Sequence, residues 1–528
     1  MKNILSFLFV FCAVALNAQT TQVSGNQSGT WNGEVHIVGD VTVAAGATLT
    51  IEPGTSVIAD GYFGMTVLGN LYAEGTENAR VTFTVADTTG YSNVNDIEAG
   101  AWKGITFAKA DDVKLEYCDF SYGKTHLDSD GGAMRVFMSR EFEISHCTFH
   151  HNTARKRGGA IYAENSILNI HDCEVYDNVV TGFEGSYCWG TGFHFLKCSV
   201  NSHDMVFHDN YSDVGYGGGM NIDSCDMELN NAVFYNNIAV NAGGLGIQRC
   251  QDYNVKVSNM LAYNNIVKHY GGGLAIATSN PELNNLTIVN NYCGAGGGGM
   301  QNAFAAAPKL NNCIFWGNHA VYSTNGGDTV EYYMGSQIWL WGSDCQPTFI
   351  NGDIQYGMDS IEGCIHITPE HYVDMIDADP LFVSAASHDY RLTAESPCVD
   401  AGMADITGLF IPDTDLDGGP RIYNNRIDMG CYEYYVLDVD EVAAYDNNIS
   451  VYPNPLNDNA YCVVNLAKKT DVVLKLMTID GKEIYRENCG IFGAGEHKIP
   501  LDGMMKYIEK GNKMYLLVVD NQYVKIVY

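Results

Sequence analysis

The chain is 528 residues long, which at roughly 150 residues per domain allows three or four domains, yet 56 glycines, 33 tyrosines and only 17% charged residues are unlike ordinary globular packing. Lys plus Arg number 29 against 62 Asp plus Glu, a formal net charge of −33; a surface that acidic repels phosphate backbones and anionic headgroups and argues against nucleic acid as a partner. Apolar residues make up 46%, enough for a large core and too many for a disordered chain.

Lys2, an apolar run from Ile4 to Leu16 and the small-residue end Ala18-Gln19 follow the order of a secretory signal peptide, so residues 1–18 are expected to be removed. Cys12 follows the bulky Phe11, which argues against lipidation there. No later segment reaches the roughly 20 apolar residues of a membrane-spanning helix.

A Gly-Gly-apolar signal recurs at Gly131-Gly132, Gly158-Gly159, Gly218-Gly219, Gly243-Gly244, Gly272-Gly273 and Gly298-Gly299, with Gly190-Thr191-Gly192 as a variant. Each is followed by a short alternating run and an asparagine corner. The closing asparagines, Asn152, Asn178, Asn210, Asn237, Asn265, Asn291 and Asn318, are 26, 32, 27, 28, 26 and 27 residues apart. About 27 residues holding three short strands and three sharp corners make one coil of a parallel β-helix, because helical repeats of that length would not alternate at period 2. Coils stack about 4.8 Å apart, so aligned repeats read as columns.

Two inward columns are predicted: Phe149, Val175, Phe207, Phe234, Ala262, Ile288 and Phe315; and Cys147, Cys173, Met205, Ala232, Met260, Leu286 and Cys313. Two polar columns mark corners: the asparagines above, and His146, Asp172, Asp204, Asn231, Asn259, Asn285 and Asn312. Asn tolerates left-handed backbone, and its amide both donates and accepts, so stacked asparagines satisfy turn amides and one another. Cys198, Cys225 and Cys250 also share a column and are expected to be buried thiols, since stacked parallel side chains suit disulfide torsions poorly. Cys345, Cys364, Cys398 and Cys431 lie outside the columns and are the better candidates for pairing.

Alternating runs between residues 31 and 107, with Thr48-Leu49-Thr50-Ile51-Glu52-Pro53-Gly54-Thr55 followed by Gly69-Asn70-Leu71-Tyr72-Ala73-Glu74-Gly75-Thr76 and Trp102-Lys103-Gly104-Ile105, complete the pattern. With the repeat, they resemble right-handed parallel β-helix proteins of the pectate-lyase-like superfamily over about residues 30–365, and the β-helix is expected to span 19–365. Residues 366–435, with Asp379-Pro380-Leu381-Phe382-Val383, Ser396-Pro397-Cys398-Val399-Asp400-Ala401-Gly402 and Asp428-Met429-Gly430-Cys431, resemble the last coils and cap that close many bacterial surface β-helices. A linker is expected at 436–448. Residues 449–528 hold ten Lys and Arg against nine acids, so nearly all the negative charge lies before them. Val451-Tyr452-Pro453-Asn454-Pro455, the turn Asp480-Gly481-Lys482 and the terminal strand pair ending in Val524-Lys525-Ile526-Val527 resemble the C-terminal sorting domain of type IX secretion, a small β-sandwich. That resemblance implies a Bacteroidetes-type source, the type IX secretion machinery as a partner, and cell-surface display or release. The expected fold class is therefore all-β: a right-handed parallel β-helix of about 27 residues per coil, then a small C-terminal β-sandwich.

The spacers between each closing asparagine and the next glycine pair vary in length. They carry Lys124, His126, Asp128 and Asp130; Arg155, Lys156 and Arg157; Glu184, Tyr187 and Trp189; Tyr211, Asp213 and Tyr216; and Lys268, His269 and Tyr270. Stacked coils place them along one face, where aromatic faces, cations and carboxylates suit a polysaccharide or a host or cell-surface glycan; Arg155, Arg157, Trp189, Tyr216 and His269 are the expected ligand-binding set. Variable solvated loops attract such residues anyway. A lyase needs a base beside a carboxylate neutralised by Ca²⁺ or Arg, and Asp130, His151, Arg155 and Arg157 form the trial catalytic constellation. Asp413, Asp415 and Asp417 alternate as in a Ca²⁺ loop, although Asn424 stands where a bidentate acid is expected, and a capped surface turn competes. Gly294-Ala295-Gly296-Gly297-Gly298-Gly299 is one copy of the coil glycines with no helix after it, not a dinucleotide fingerprint. Cys147 within His146-Cys147-Thr148-Phe149-His150 belongs to the core column, so that run is not a metal site. The leading expectation is a noncatalytic binding or adhesive rod; the alternative is a secreted polysaccharide lyase or hydrolase using the loop face.

Overall fold

The computed structural model describes residues 20–126, 129–182, 188–323, 329–332, 336–342, 344–363, 367–424, 426–435, 449–452, 456, 460–466, 468–478, 483–508, 514–519 and 522–527. The expected signal segment 1–18, the expected linker 436–448, and Asp128, Glu184, Tyr187, Cys364, Pro453-Asn454-Pro455 and Asp480-Gly481-Lys482 lie outside the described residues. The chain divides into two compact units, Met1–Tyr434 and Tyr435–Tyr528. Among the described residues, no helix is long and apolar enough to cross a membrane.

The first unit is a parallel β-helix. The strand after each glycine pair aligns without slippage from coil to coil: Met134 beside Ile161, then Phe193, Met220, Leu245, Leu274, Met300 and Ile338. The second and third strands of a coil often form one bent run, as in Ser199–His208 and Asp226–Tyr235, with the bend at left-handed Asp204 (φ 53°) and Asn231 (φ 51°). The glycine pairs are needed because the next backbone lies close: a Cβ on Gly218 would meet Gly243 O at 2.3 Å, and one on Gly243 would meet Gly272 O at 2.3 Å.

Alternation aims every second side chain inward, and one continuous apolar cluster runs from Val23 to Ile354. Phe149, Val175, Phe207, Phe234, Ala262, Ile288 and Phe315 stack in register. Phe120 and Phe149 stack at 5.0 Å, and Phe207 and Phe234 at 4.9 Å. Full burial of such a side chain is worth roughly 1.5–3 kcal/mol. Cys147, Cys173, Cys198, Cys225, Cys250 and Cys313 carry free, buried thiols in this core.

The closing asparagines form a buried ladder. From Asn152 to Asn291, each side-chain amide and each backbone N–H donates to the Oδ1 of the asparagine one coil on, at 2.9–3.2 Å. The left-handed residue at this corner is not the ladder asparagine itself but the one before it: His151, Asp177, Asp209, Asn236, Asn264, Asn290 and Gly317, with φ of 51–65°. In the outer polar column the expectation holds, with φ of 49–56° from His146 to Asn312.

The coil pairing continues into residues 366–435, where Tyr372–Val373 lies parallel to the Thr348–Ile350 strand. The described contacts of the cap-like segment run along the flank of the coils. Asn285 Nδ2 donates to Asp428 O at 2.9 Å and Gly430 O at 3.1 Å, Asn259 Nδ2 to Thr414 O at 2.8 Å, and Asn284 Nδ2 to Phe410 O at 2.9 Å. The cause is in the outward positions of the third strand, which are Thr148 and Glu174 in early coils but Leu261 and Ile314 in later ones. Leu261 and Val289 pack with Tyr390 and Cys431, and Ile314 packs with Leu392, Cys398 and Met429. The expectation that the late cysteines pair is corrected for Cys398 and Cys431, which are both free thiols; Cys398 Sγ faces Asp353 Oδ2 at 3.4 Å, and Cys431 N donates to Thr287 Oγ1 at 3.0 Å. Cys345 Sγ donates to Trp341 O at 3.4 Å.

The second unit is antiparallel throughout. Ile449–Tyr452, Tyr461–Leu466 and Gly495–Pro500 form one sheet; Glu483–Phe492, Thr470–Thr478, Met514–Val519 and Gln522–Val527 form the other. Alternate residues of both, including Cys462, Val464, Leu474, Leu476 and Leu517, share one core.

Candidate functional site

The strand after each glycine pair sends its even positions outward, and their register makes a floor. In order along the coils it reads Arg135, Tyr162, His194, Asn221, Gly246, Ala275, Gln301 and Trp339. Large side chains fill the row up to His194; at Gly246 and Ala275 they vanish, leaving a depression. The spacers build its wall. Cys188–Trp189, Gly215–Tyr216, Ile238–Asn241, Ile266–Tyr270, Tyr292–Cys293 and His319–Ser323 belong to a seven-stranded sheet beside the floor.

The result is a groove of about 350 Å³ lined by Trp189, Tyr216, Asn221, Gln248, His269, Tyr270, Gln301, Phe304 and Trp341 among others. Trp189 and Tyr216 lie with ring centroids 4.6 Å apart, and Tyr270 meets the Trp341 ring edge-on at 5.3 Å. Phe304 and Trp341 are 60% and 44% exposed, and with Trp189, Tyr216 and Tyr270 they give the groove a contiguous aromatic lining. Polar groups are few and fixed: buried Asn221 accepts from Gln248 Nε2 at 2.7 Å and donates to His194 Nδ1 at 3.2 Å. None of the described lining residues is Asp, Glu, Lys or Arg. Burial and neighbouring Lys268 hold the His269 imidazole below its usual range, and burial holds His194 well below it. In a chain of net charge −33, this groove is uncharged at neutral pH.

Of the five expected ligand-binding residues, Trp189, Tyr216 and His269 share the groove. Arg157 sits one coil before it, its backbone bridged to Trp189, with its guanidinium bonded to Asp130 at 2.9 and 2.7 Å and lying 4.3 Å from the Tyr162 ring centroid. Arg155 donates to Thr181 Oγ1 at 3.1 Å and Val94 O at 3.4 Å and does not line the groove. The trial catalytic set is not brought together as a set. Asp130 is taken up by Arg157, while His151 contacts His150 (Nδ1 to Nδ1, 2.9 Å) and lies 3.9 Å from Asp177; burial, and then His150, lower the His151 pKa.

The Asp413, Asp415, Asp417 run forms a capped turn. Asp415 is buried, and its carboxylate accepts from the N–H groups of Gly419 (2.8 Å), Asp417 (3.1 Å) and Glu433 (2.8 Å). Asp417 faces Arg391 at 3.5 Å, and Asp413 contributes its carbonyl to Arg421 N at 2.9 Å. These bonds occupy the carboxylate that a Ca²⁺ ion would need.

Asn221, Gln248, Gln301, Phe304 and Trp341 were missed by the loop-based expectation. Reading outward positions across coils, where Tyr162 and His194 give way to Gly246 and Ala275, locates the depression.

Residues 78–261 match the family model described as right handed beta helix region. No curated protein matches the chain. Among solved structures, the full-length tailspike protein 2 from Escherichia coli O157:H7 bacteriophage CAB120 aligns at 11% identity and a TM-score of 0.22, over 96% of this chain and 62% of that one. The enzymatically active domain of bacteriophage CBA120 tailspike protein 2 aligns at 10% identity and TM-score 0.22, over 96% and 69%. The chain thus spans less than two thirds of the full-length tailspike, and TM-scores this low reflect poor superposition. The coil-to-coil parallel register and the matched region together make the first unit a right-handed parallel β-helix.

Proposed function

We propose that the protein is an exported, surface-displayed binding protein whose β-helix holds a neutral carbohydrate in the groove of Trp189, Tyr216, Tyr270 and Trp341. The observation that carries this reading is the groove's chemistry: flat aromatic faces for sugar CH surfaces, amides of Asn221, Gln248 and Gln301 for hydroxyls, and no formal charge. A groove with a few convergent polar groups and apolar walls is the usual form of a small-ligand site. A uronate polymer would need cations to neutralise its carboxylates; Arg157 is already paired with Asp130. Export rests on the N-terminal Lys2 and Ile4–Leu16 pattern, and type IX sorting on the motifs within residues 449–528. The test is a panel of neutral, uronate and sulfated glycans incubated with the full chain, with binding and new reducing or unsaturated ends followed together. Binding of a neutral glycan without cleavage, weakened about tenfold by Trp189→Ala and unchanged by Arg155→Ala, supports the proposal. Cleavage supports the lyase or hydrolase alternative, and preference for uronates refutes the neutral-ligand reading.

A further inference from the structure

The outer corner column supplies its own internal control. In later coils it is built from asparagines, and their amides bond along the column: Asn231 Nδ2 to Asp204 Oδ1 at 3.1 Å, Asn259 Nδ2 to Asn231 Oδ1 at 3.0 Å, and Asn312 Nδ2 to Asn285 Oδ1 at 3.2 Å. The residue before each corner follows the same rule, in register: His171, His203, Asn230, Ser258, Asn284 and Asn311. Two consecutive coils replace this Asn or Ser pair with His171-Asp172 and His203-Asp204, and the coil before them has His146 at the corner.

The backbone does not require the exchange, since Asp172, Asp204 and Asn231 all adopt φ of 51–53°. The exchange also removes a bond. An ionised Asp only accepts, so Asp172 and Asp204, stacked one coil apart, cannot pass a hydrogen bond between them as the asparagines do, and like charges directly opposite on neighbouring strands destabilise. What the column gains is a set of metal-ligating atoms. Asp172 Oδ2 lies 2.6 Å from His171 Nδ1 and 3.9 Å from His146 Nε2; His203 Nδ1 lies 2.7 Å from Asp204 Oδ2. One atom each of His146, His171 and Asp172 falls within 4.8 Å of the others, and the same holds for Asp172, His203 and Asp204. The rings are held in place: His146 stacks on Tyr117 at 4.4 Å, and His171 on His203 at 4.6 Å. The histidines are half-buried and the aspartates exposed, which leaves open positions for water.

We propose that this corner binds a divalent transition-metal ion. His146, His171 and Asp172 form one ligand set; Asp172, His203 and Asp204 form the next, with Asp172 shared. Mixed imidazole and carboxylate ligands select zinc-like ions over Ca²⁺, which takes oxygen alone. The cation also supplies the charge that joins the two stacked carboxylates.

The test is equilibrium dialysis of the full chain against Zn²⁺, with Ca²⁺ as competitor, and the double variant H171N/D172N, which restores the corner that other coils already use. The expected results are saturable Zn²⁺ uptake by the parent, at least tenfold weaker in the double variant, no displacement by excess Ca²⁺, and a metal-free unfolding midpoint of the variant at or above the parent's, since the stacked carboxylate pair is gone. Equal uptake by parent and variant, no uptake by the parent, or displacement by Ca²⁺ overturns the proposal. A second measurement needs no variant: one equivalent of Cu²⁺ on the parent chain should show nitrogen hyperfine coupling, and a purely oxygen-ligated spectrum overturns it.

Discussion

Asn237 occupies the middle of the buried ladder, so its loss should be felt on both sides. Its Nδ2 donates to Phe207 O and Asn265 Oδ1, both at 2.9 Å, while its Oδ1 accepts from Asn210 Nδ2 at 2.9 Å and Asn210 N at 3.2 Å. In Asn237→Leu, Asn265 Oδ1 keeps the Asn237 backbone N–H at 3.1 Å and Asn210 Nδ2 keeps Val175 O at 2.9 Å. Phe207 O and Asn210 N lose their ladder partners without water to replace them. Each such buried group costs about 1–3 kcal/mol, so the variant should lose about 2–6 kcal/mol, with the isobutyl group's own burial offsetting part. Denaturant unfolding measures this directly, and because each coil holds mainly its neighbours, the transition should broaden as well as shift. An unchanged midpoint would refute the ladder as a source of stability. One residue earlier the requirement is conformational: Asn236, at φ 55°, should tolerate Gly and lose about 1–2 kcal/mol as Val.

Three further outcomes follow from buried chemistry and from the chain's ends. Burial raises the Asp353 pKa from 3.8 to about 7; a folded value above the unfolded one means that stability is greatest in acid and falls as pH rises through 7, by up to about 4 kcal/mol at 1.36 kcal/mol per unit. Asp353→Asn should therefore raise the midpoint at pH 8 more than at pH 5, and a pH-independent difference would contradict this. Cys147, Cys173, Cys225 and Cys250, all buried free thiols, should alkylate only after denaturation and without reductant; mass spectrometry that finds them disulfide-linked would overturn the core assignment. If residues 449–528 carry the sorting signal, their deletion should leave the rest in the periplasm, and surface display at the parent level would refute that role.

The inward face was legible in the sequence because the core imposes the same demand on every coil. Phe207 above Phe234 must be apolar for the reason Phe149 must, and a column of seven such residues is hard to miss. The ladder asparagines were legible because their bonding repeats with the coil. Left-handed backbone was assigned one residue late there because His151, Asp177 and Asn290 share no side chain. Outward positions carry no periodic demand, so the depression at Gly246 and Ala275 shows only when coils are aligned for what is absent. Trp341 was hidden by the irregular spacing of its coil. The flank contacts of 379–434 join residues such as Asn285 and Asp428, 143 positions apart, and only the apolar turn of Leu261 and Ile314 hinted at a partner. Spacing alone does not reveal that the charged loop residues Arg157 and Asp130 satisfy each other across coils.

The most direct test of the central claim is to fill the groove. Ala275 lies on its floor between Gly246 and Gln301, on the outer face of the strand, where a larger side chain projects away from the core. Calorimetric titration of Ala275→Trp with the neutral glycan bound by the parent should show binding lost, or weakened at least a hundredfold, with the unfolding midpoint unchanged. Parent-level affinity in a folded Ala275→Trp chain would place the ligand elsewhere and contradict the groove as the binding site.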